Sequence, residues 1–172
     1  MATEDDIPAL HRVMDRAIES LQTEFLDPAQ IAASHKVMGL DSQLVADKTY
    51  FIVEDGDRIA GCGGWSFRAT LYGGDASIVG REPESLNPAH DAAKVRAMYT
   101  DPAFVRRGVG RIILDLCEQA AREAGFARVE LMGTAAGVPL YRAAGYEAIA
   151  PLEMADVDGV AVPLLRMGKV LI

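Results

Sequence analysis

Residues 95–125 constrain the fold more than any other part of the sequence, because they join a strand pattern to a strong helical pattern through a short glycine-containing loop. Apolar residues alternate from Val95 to Thr100, which predicts a strand, and Asp101-Pro102 ends it because proline donates no backbone hydrogen bond. From Gly108 to Ala124 the apolar side chains recur at helical spacing opposite a charged face, and Gly125 ends the helix. This order predicts a chain that mixes α and β structure.

The remaining segments supply further helices and strands. Apolar steps of three and four from Asp6 to Leu21 predict an amphipathic helix, and Asp27-Pro28 opens a shorter one that Gly39 closes. The turn signal Asp55-Gly56-Asp57 predicts an antiparallel hairpin. The hairpin strands are Thr49–Glu54 and Arg58–Phe67, and the later elements are a strand at Val129–Met132, a short helix at Val138–Ala144 and closing strands at Tyr146–Ile149 and Ala161–Met167.

The length of the chain and the order of its elements indicate one domain. The 172 residues match the size of about one domain, and no internal repeat or linker divides them. We therefore expect residues 1–172 to form a single α/β domain whose core needs no disulfide framework. The segment from Ala69 to Ala93 is long for a loop in a compact domain, which makes it a candidate substrate lid or a disordered segment.

The composition excludes several classes of partner. Lys and Arg number 17 against 25 Asp and Glu, so the net charge of −8 disfavours nucleic acid and anionic membranes. Cys62 and Cys117 are far apart and the three histidines are scattered, so we expect no metal site and a reducing, cytoplasmic setting. No apolar run is long enough to span a membrane, and the acidic start lacks the basic region of a signal peptide.

The loop before the strong helix gives the clearest indication of a binding site. Between Lys94 and Arg111 there are five basic residues against Asp101 alone, in a chain that is acidic overall. Gly108 and Gly110 at the helix N-terminus let the backbone approach an anion, and the unpaired N–H groups of the first turn point at it. The pattern predicts a diphosphate cradle formed by Val105, Arg106, Arg107, Gly108, Val109, Gly110 and Arg111.

Two common nucleotide motifs do not fit this loop. A dinucleotide fingerprint needs a third glycine where Ile113 stands, and a P-loop needs Lys-Ser/Thr where Arg111-Ile112 stands. Taken alone, the two glycines are also compatible with a loop in which they only shape a turn.

A second motif follows the loop after one helix and one strand. Pro102 and Arg106-Arg107-Gly108-Val109-Gly110, followed by Leu140-Tyr141-Arg142-Ala143-Ala144-Gly145-Tyr146, together resemble the GNAT superfamily of acyl-CoA-dependent N-acyltransferases in order and separation. The resemblance is strong from about Val95 to Tyr146. It implies a GNAT-like fold, a mixed and mostly antiparallel central sheet flanked by helices. In that sheet the strand with Met98-Tyr99-Thr100 splays from the strand with Glu130-Leu131-Met132.

The resemblance also implies a reaction. A primary amine of a small molecule or protein attacks acetyl-CoA directly in a ternary complex, without a metal. The Val105–Arg111 loop then binds the CoA pyrophosphate, while Met98, Tyr99, Thr100 and Thr134 lie along the pantetheine arm and Tyr141 serves as general acid. Homodimers are common among such proteins.

Several positions depart from the pattern of the family. Val105 stands where a polar side chain is usual, Thr134 where Asn is frequent, and Gly137 where Ala is frequent. The frequent glutamate base aligns near Arg96, so that role is unfilled. A non-catalytic CoA-binding or sensor module is therefore the alternative function, and an acidic interaction domain without a ligand is a third.

Other residues have open roles. Glu54, Tyr99 and Glu130 are candidate bases, and each is also compatible with a structural or surface position. Arg96 is compatible with binding an acceptor carboxylate or with a strand-edge surface charge. Trp65 lines the acceptor site or belongs to the core, Cys62 and Cys117 are expected in the core, and His35 and His90 in solvent.

Overall fold

One seven-stranded sheet organises the computed structural model, which describes residues 1–171. The strands are β1 (Tyr50–Asp55), β2 (Arg58–Ser66), β3 (Ala93–Thr100), β4 (Arg128–Thr134), β5 (Glu147–Ala148), β6 (Glu153–Val157) and β7 (Val160–Val170). Their order is β1-β2-β3-β4-β7-β5, and β6 also pairs with β7. Every pair is antiparallel except β3 with β4, so the expected mixed, mostly antiparallel α/β architecture is confirmed.

Helices cover both faces of this sheet. They are α1 (Ile7–Leu21), α2 (Pro28–Ser34), α3 (Ser42–Ala46), α4 (Val109–Glu123) and α5 (Val138–Ala143). The apolar stripe of α4 packs with β2, β3 and β4 into one core, and the stripe of α1 packs with Tyr50 and Cys62 into a second core. None of these helices, within the part of the chain described, has the length and apolar character needed to cross a membrane.

Glycines in β2 let α4 lie directly on the sheet. A Cβ at Gly61 would come within 2.6 Å of Val109 Cγ1, and one at Gly63 within 2.7 Å of Ile113 Cγ2. The backbone of β2 therefore takes the place of a side-chain layer, which brings the N-terminal half of α4 close to the centre of the sheet.

The sequence pattern was wrong about three elements. The second helix ends at Ser34 rather than Gly39, and α3 was not expected; its N-cap Asp41 accepts a hydrogen bond from the Gln43 N–H. Strand β6 was also missed. It forms a hairpin with β7 through Asp158-Gly159, which both have positive φ as a two-residue hairpin turn requires.

The segment between β2 and β3 runs over the body of the protein, where two arginines tie it to other elements. Arg68 forms a bidentate ion pair with Asp47, at 2.6 and 2.8 Å. Farther along, Arg81 pairs with Asp41 at 2.9 Å and with Asp75 at 2.5 Å. These contacts hold the segment beside β3, where it forms part of one wall of a cavity.

Candidate active site

Strands β3 and β4 separate after a short parallel contact. They pair at Ala93↔Val129 and Lys94↔Glu130, and no later pair joins them among residues 1–171. The facing edges of both strands therefore leave a wedge-shaped gap, with β3 continuing to Thr100 and β4 to Thr134.

A bulge in β3 lies beside this gap. Cys62 pairs with Tyr99 and Gly64 with Arg96, so Ala97 and Met98 together face Gly63. Ala97 has φ of +51°, a left-handed conformation that costs about 1–2 kcal/mol for a residue other than glycine. The buried Tyr50 hydroxyl donates a 2.6 Å hydrogen bond to the Ala97 carbonyl, which helps to hold the bulge.

The bulge also changes which face each β3 side chain meets. Side chains of a regular strand alternate between faces, and an extra residue reverses the alternation beyond it. Val95 and Met98 therefore pack with the core beneath α4, whereas Arg96 and Tyr99 share the opposite face, where α1 packs on Tyr99.

Two cavities meet in the gap. The larger, of about 270 Å³, lies between α1, the loop before α4 and α5. The smaller, of about 70 Å³, lies between the loop after α2, the segment after β2 and β3. The residues that line both cavities are Met38, Met98, Tyr99, Thr134 and Tyr141. We call the first the loop-side cavity and the second the segment-side cavity.

The loop before α4 presents an N-terminus that no side chain caps. Asp101 accepts a hydrogen bond from the Ala103 N–H and starts a short 3₁₀ turn, Pro102–Phe104. Gly108 then adopts φ of +82° as the N-cap of α4, a conformation that favours glycine, and no side chain of residues 1–171 caps the helix. Gly110 faces α5, because a Cβ there would come within 2.9 Å of Leu140 Cδ2.

Basic side chains surround this helix end. Arg106, Arg107 and Arg111 are exposed, and Arg58 and Arg107 both stack on the Phe104 ring, at 4.9 and 5.1 Å from its centroid. Two of the five basic residues counted in the sequence do not belong to the loop. Lys94 is buried against Glu130, and Arg96 is buried against Asp41, so the local positive charge comes from Arg106, Arg107 and Arg111. Arg107 also pairs with Asp55 at 3.2 Å and Arg111 with Asp115 at 2.9 Å, while all three arginines stay exposed.

The family model of the acetyltransferase (GNAT) family matches residues 14–146. The chain belongs to that family.

Solved structures of GNAT proteins share the fold. A GCN5-related N-acetyltransferase from Rhodopseudomonas palustris is 17% identical with a TM-score of 0.71, over 99% of this chain and 92% of that one. A ribosomal-protein-alanine N-acetyltransferase from Brucella melitensis is 21% identical with a TM-score of 0.64, over 99% and 97%. Rv2747 from Mycobacterium tuberculosis, in a complex that contains CoA, is 16% identical with a TM-score of 0.59, over 99% and 97%. No curated protein matches the chain significantly.

In this GNAT protein the residues expected along the pantetheine arm lie together. Met98, Tyr99 and Thr100 line the loop-side cavity with Val105, Gly110 and Thr134. Thr134 accepts hydrogen bonds from the Gly137 N–H at its carbonyl, 3.0 Å, and at Oγ1, 3.3 Å. Arg106, Arg107, Gly108, Val109 and Arg111 lie in the loop and the first turn of α4, next to this cavity.

Tyr141 occupies the junction of the two cavities. Its side chain lies between glycines of β4 and of the turn before α5: a Cβ at Gly137 would come within 2.8 Å of the ring, and one at Gly133 within 3.3 Å. The absence of a side chain at Gly137 therefore lets the ring approach. Burial raises the pKa of Tyr141, with a smaller contribution from Cys117, so the phenol stays protonated.

Of the three candidate bases, Glu54 and Glu130 lie outside both cavities, and Tyr99 lines both but is a buried phenol with a raised pKa. Glu54 is exposed on β1, and Glu130 is buried in ion pairs with Lys94 and Arg166, outside both cavities. The Tyr99 hydroxyl accepts a 2.8 Å hydrogen bond from the Gly39 N–H, and burial raises the pKa of Tyr99. Within residues 1–171 no carboxylate or histidine lines either cavity.

The structure also places the tryptophan and the two cysteines whose positions the sequence left open or predicted. Trp65 packs edge to face with Phe67 and Phe126 in the α4 core and lines neither cavity. Cys62 and Cys117 are fully buried, and burial raises the pKa of the Cys62 thiol to about 12. Across residues 1–171, no cluster of three His, Cys, Asp or Glu side chains is arranged to hold a metal ion.

Two walls of the site come from segments in which the sequence shows no motif. The C-terminal part of α1 and the turn after it contribute Ile18, Leu21 and Phe25 to the loop-side cavity. Met38 reaches both cavities, and Leu71-Tyr72-Gly73 forms the outer wall of the segment-side cavity. The apolar stripe of α1 was visible in the sequence, but the position at which its end meets β3 depends on long-range packing.

Proposed function

We propose that this protein is an acetyl-CoA-dependent N-acetyltransferase that acetylates a primary amine of a small molecule or protein. The observation that carries the proposal is the meeting of two cavities at one gap in the sheet, with Tyr141 in the wall of both. One cavity then receives the acyl donor and the other receives the amine, so that both reactants meet in a ternary complex.

The residues on the loop side fit CoA. The uncapped N-terminus of α4 and the exposed Arg106, Arg107 and Arg111 suit a pyrophosphate, because helix N–H groups and guanidinium groups both bind phosphate oxygens. The adjoining cavity has mainly apolar walls, from Ile18, Leu21 and Ile113 among others, and suits the pantetheine arm. When bound, acetyl-CoA supplies the thioester that is attacked.

The chain's own groups then organise the transfer. The acceptor nitrogen donates its lone pair to the thioester carbon, the C–S bond breaks with its electron pair on sulfur, and the proton lost by nitrogen ends on the thiolate or in solvent. The free backbone edge of β3 beyond Lys94 is available to donate hydrogen bonds to the carbonyl oxygen as negative charge develops.

Tyr141 contributes a hydrogen bond to the departing sulfur. An unperturbed tyrosine has a pKa near 10 and a thiol one near 8.5, so complete proton transfer to the thiolate costs about 2 kcal/mol. Burial raises the pKa of Tyr141 and makes that transfer harder still. We therefore assign Tyr141 the role of a hydrogen-bond donor that stabilises the leaving thiolate. The proton that neutralises the thiolate comes from the acceptor nitrogen or from solvent.

Deprotonation of the acceptor amine has little help from a side-chain base. Deprotonating an alkylamine of pKa about 10.4 at pH 7 costs about 4–5 kcal/mol, whereas an α-amine of pKa about 8 costs about 1 kcal/mol. Because no carboxylate or histidine of residues 1–171 lines the segment-side cavity, this cost falls on the acceptor or on solvent. The same observation favours the second candidate function, a module that binds CoA without catalysis.

Two measurements separate these functions. Acetyl-CoA should raise the melting temperature of the protein, and a panel of primary amines with acetyl-CoA should release free thiol above the rate of hydrolysis. Stabilisation without thiol release from any amine would establish the binding module. Absence of stabilisation at millimolar acetyl-CoA would overturn both functions.

A further inference from the structure

Arg96 supplies the charge of the segment-side cavity. It is the one charged side chain among the residues 1–171 that line this cavity, and its side chain is only 3% exposed. The bulge in β3 places it on the same face as Tyr99, one of the residues that line both cavities.

The hydrogen bonds of this guanidinium are incomplete. Nη1 donates to Asp41 Oδ2 at 2.6 Å and Nη2 to the Gly73 carbonyl at 2.7 Å. Nε is buried, and nothing in residues 1–171 accepts a hydrogen bond from it. A buried donor without a partner is destabilising, and an oxygen acceptor that reaches Nε would relieve that cost.

Arg96 is linked to a second arginine, Arg81, through Asp41. Asp41, likewise 3% exposed, accepts from Arg81 as well, at 2.9 Å, so one buried carboxylate serves two guanidinium groups. The second carboxylate of the network, Asp75, contacts Arg81, and both of these side chains are 42% exposed, so solvent screens that pair. Arg96 is the one charge that lines the cavity among residues 1–171, and it suits a negative oxygen better than a second cation.

We propose that the acceptor is an amino acid, and that Arg96 binds its carboxylate while its amine faces the gap. This inference rests on the proposed function, because it names the acceptor of the same site. The cavity volume of about 70 Å³ matches about five to seven waters at about 10–15 Å³ each by the same measure, which is room for the carboxylate and α-carbon of an amino acid.

Matched acceptors isolate the carboxylate. Each series contains an amino acid, its amide and the amine left when the carboxyl group is removed: alanine, alaninamide and ethylamine, then leucine, leucinamide and 3-methylbutylamine. The amide has the less basic amine, so reactivity alone favours the amide over the acid. A kcat/KM at least about tenfold higher for the acid in either series therefore reports recognition of the carboxylate.

Variants connect that preference to Arg96. Arg96→Gln should lower kcat/KM for the acid by about 10- to 100-fold, the range of a hydrogen bond to a charged group, and change the amide by less than about threefold. Arg96→Lys should recover part of the preference. Arg81→Gln removes the other partner of Asp41 without touching the cavity lining, and should leave the ratio of acid to amide unchanged.

A binding measurement without turnover uses the products. With CoA present, N-acetyl-leucine should raise the melting temperature more than N-acetyl-leucinamide, and Arg96→Gln should remove the difference while CoA alone still stabilises the variant. The last observation shows that the variant is folded.

The results that would overturn the amino-acid acceptor differ from those that would overturn the proposed function. Acetylation of amides, leucylglycine or spermidine as efficiently as of the acids, or equal losses for acid and amide in Arg96→Gln, overturns the amino-acid assignment and leaves an N-acetyltransferase with another acceptor. Absence of thiol release from every acceptor overturns both.

Discussion

The two cavities that meet at the gap between β3 and β4 differ in how they are built. The loop-side cavity has apolar walls, and the charge beside it is carried by exposed arginines at its rim. The segment-side cavity is smaller, its walls come from parts of the chain that are far apart in sequence, and its charge is a buried arginine. In the proposed function this difference divides two tasks. The exposed rim binds acetyl-CoA, and the buried charge discriminates among acceptors.

The largest effect is expected from a double substitution in the loop before α4, which should impair acetyl-CoA binding. Replacing Gly108 and Gly110 together with valine should weaken acetyl-CoA binding at least about 100-fold. Valine at φ of +82° is strained, and a Cβ at position 110 collides with Leu140, so the first turn of α4 cannot keep its N–H groups in place. Titration calorimetry with acetyl-CoA measures the loss.

Gly56 and Gly159 provide the control for this variant. Both have positive φ in hairpin turns, with nothing within 4 Å of an added Cβ. Replacing both with valine adds comparable backbone strain away from the gap, so stability should fall while acetyl-CoA affinity is kept. Equal affinity losses in the two double variants would mean that the loop has no specific role in binding.

Sequence reasoning reached the loop-side half of the site because its parts are local. The glycines and arginines of the loop, the stripe of α4 and Tyr141 follow one another within about one-quarter of the chain. Their backbone requirements, such as the left-handed N-cap at Gly108, are properties of short segments.

The sequence left the role of Arg96 open for a physical reason. A charged residue in a strand pattern indicates a solvent-facing side chain, but Arg96 is buried because Asp41, 55 positions earlier, accepts its hydrogen bond. The missed strand β6 is a different case. Asp158-Gly159 was a readable hairpin signal, although the strand before it has mostly exposed side chains and no clear alternation.

A smaller effect is expected at the junction of the cavities. Tyr141→Phe should lower kcat by about 10- to 100-fold, the value of a hydrogen bond to developing charge, while acetyl-CoA affinity stays unchanged. Tyr146→Phe is the matched control, since its ring packs 6.0 Å from that of Tyr141 but lines neither cavity. A Tyr141→Phe enzyme with normal kcat would leave the sulfur without an assigned donor.

The pH profile tests the same residue without substitution. Because burial raises the pKa of Tyr141, its protonated form persists above the ordinary value near 10. The turnover number should therefore rise with pH as the acceptor amine loses its proton and should not fall near pH 10. A fall there that is absent from Tyr141→Phe would show that the phenol titrates normally and is more exposed to solvent than this structure has it.

The smallest effect concerns the bulge that both cavities share. Tyr50→Phe removes the hydrogen bond to the Ala97 carbonyl, so the free energy of unfolding should fall by about 1–2 kcal/mol. If the bulge sets the β3 edge that faces the thioester, kcat should also fall, by up to about tenfold, at constant KM for acetyl-CoA. Thr49→Val removes a buried hydrogen bond of the same kind, to the Leu44 carbonyl, from the neighbouring position. It should match the loss in stability and keep kcat, so equal kcat in the two variants would make Tyr50 a structural residue only.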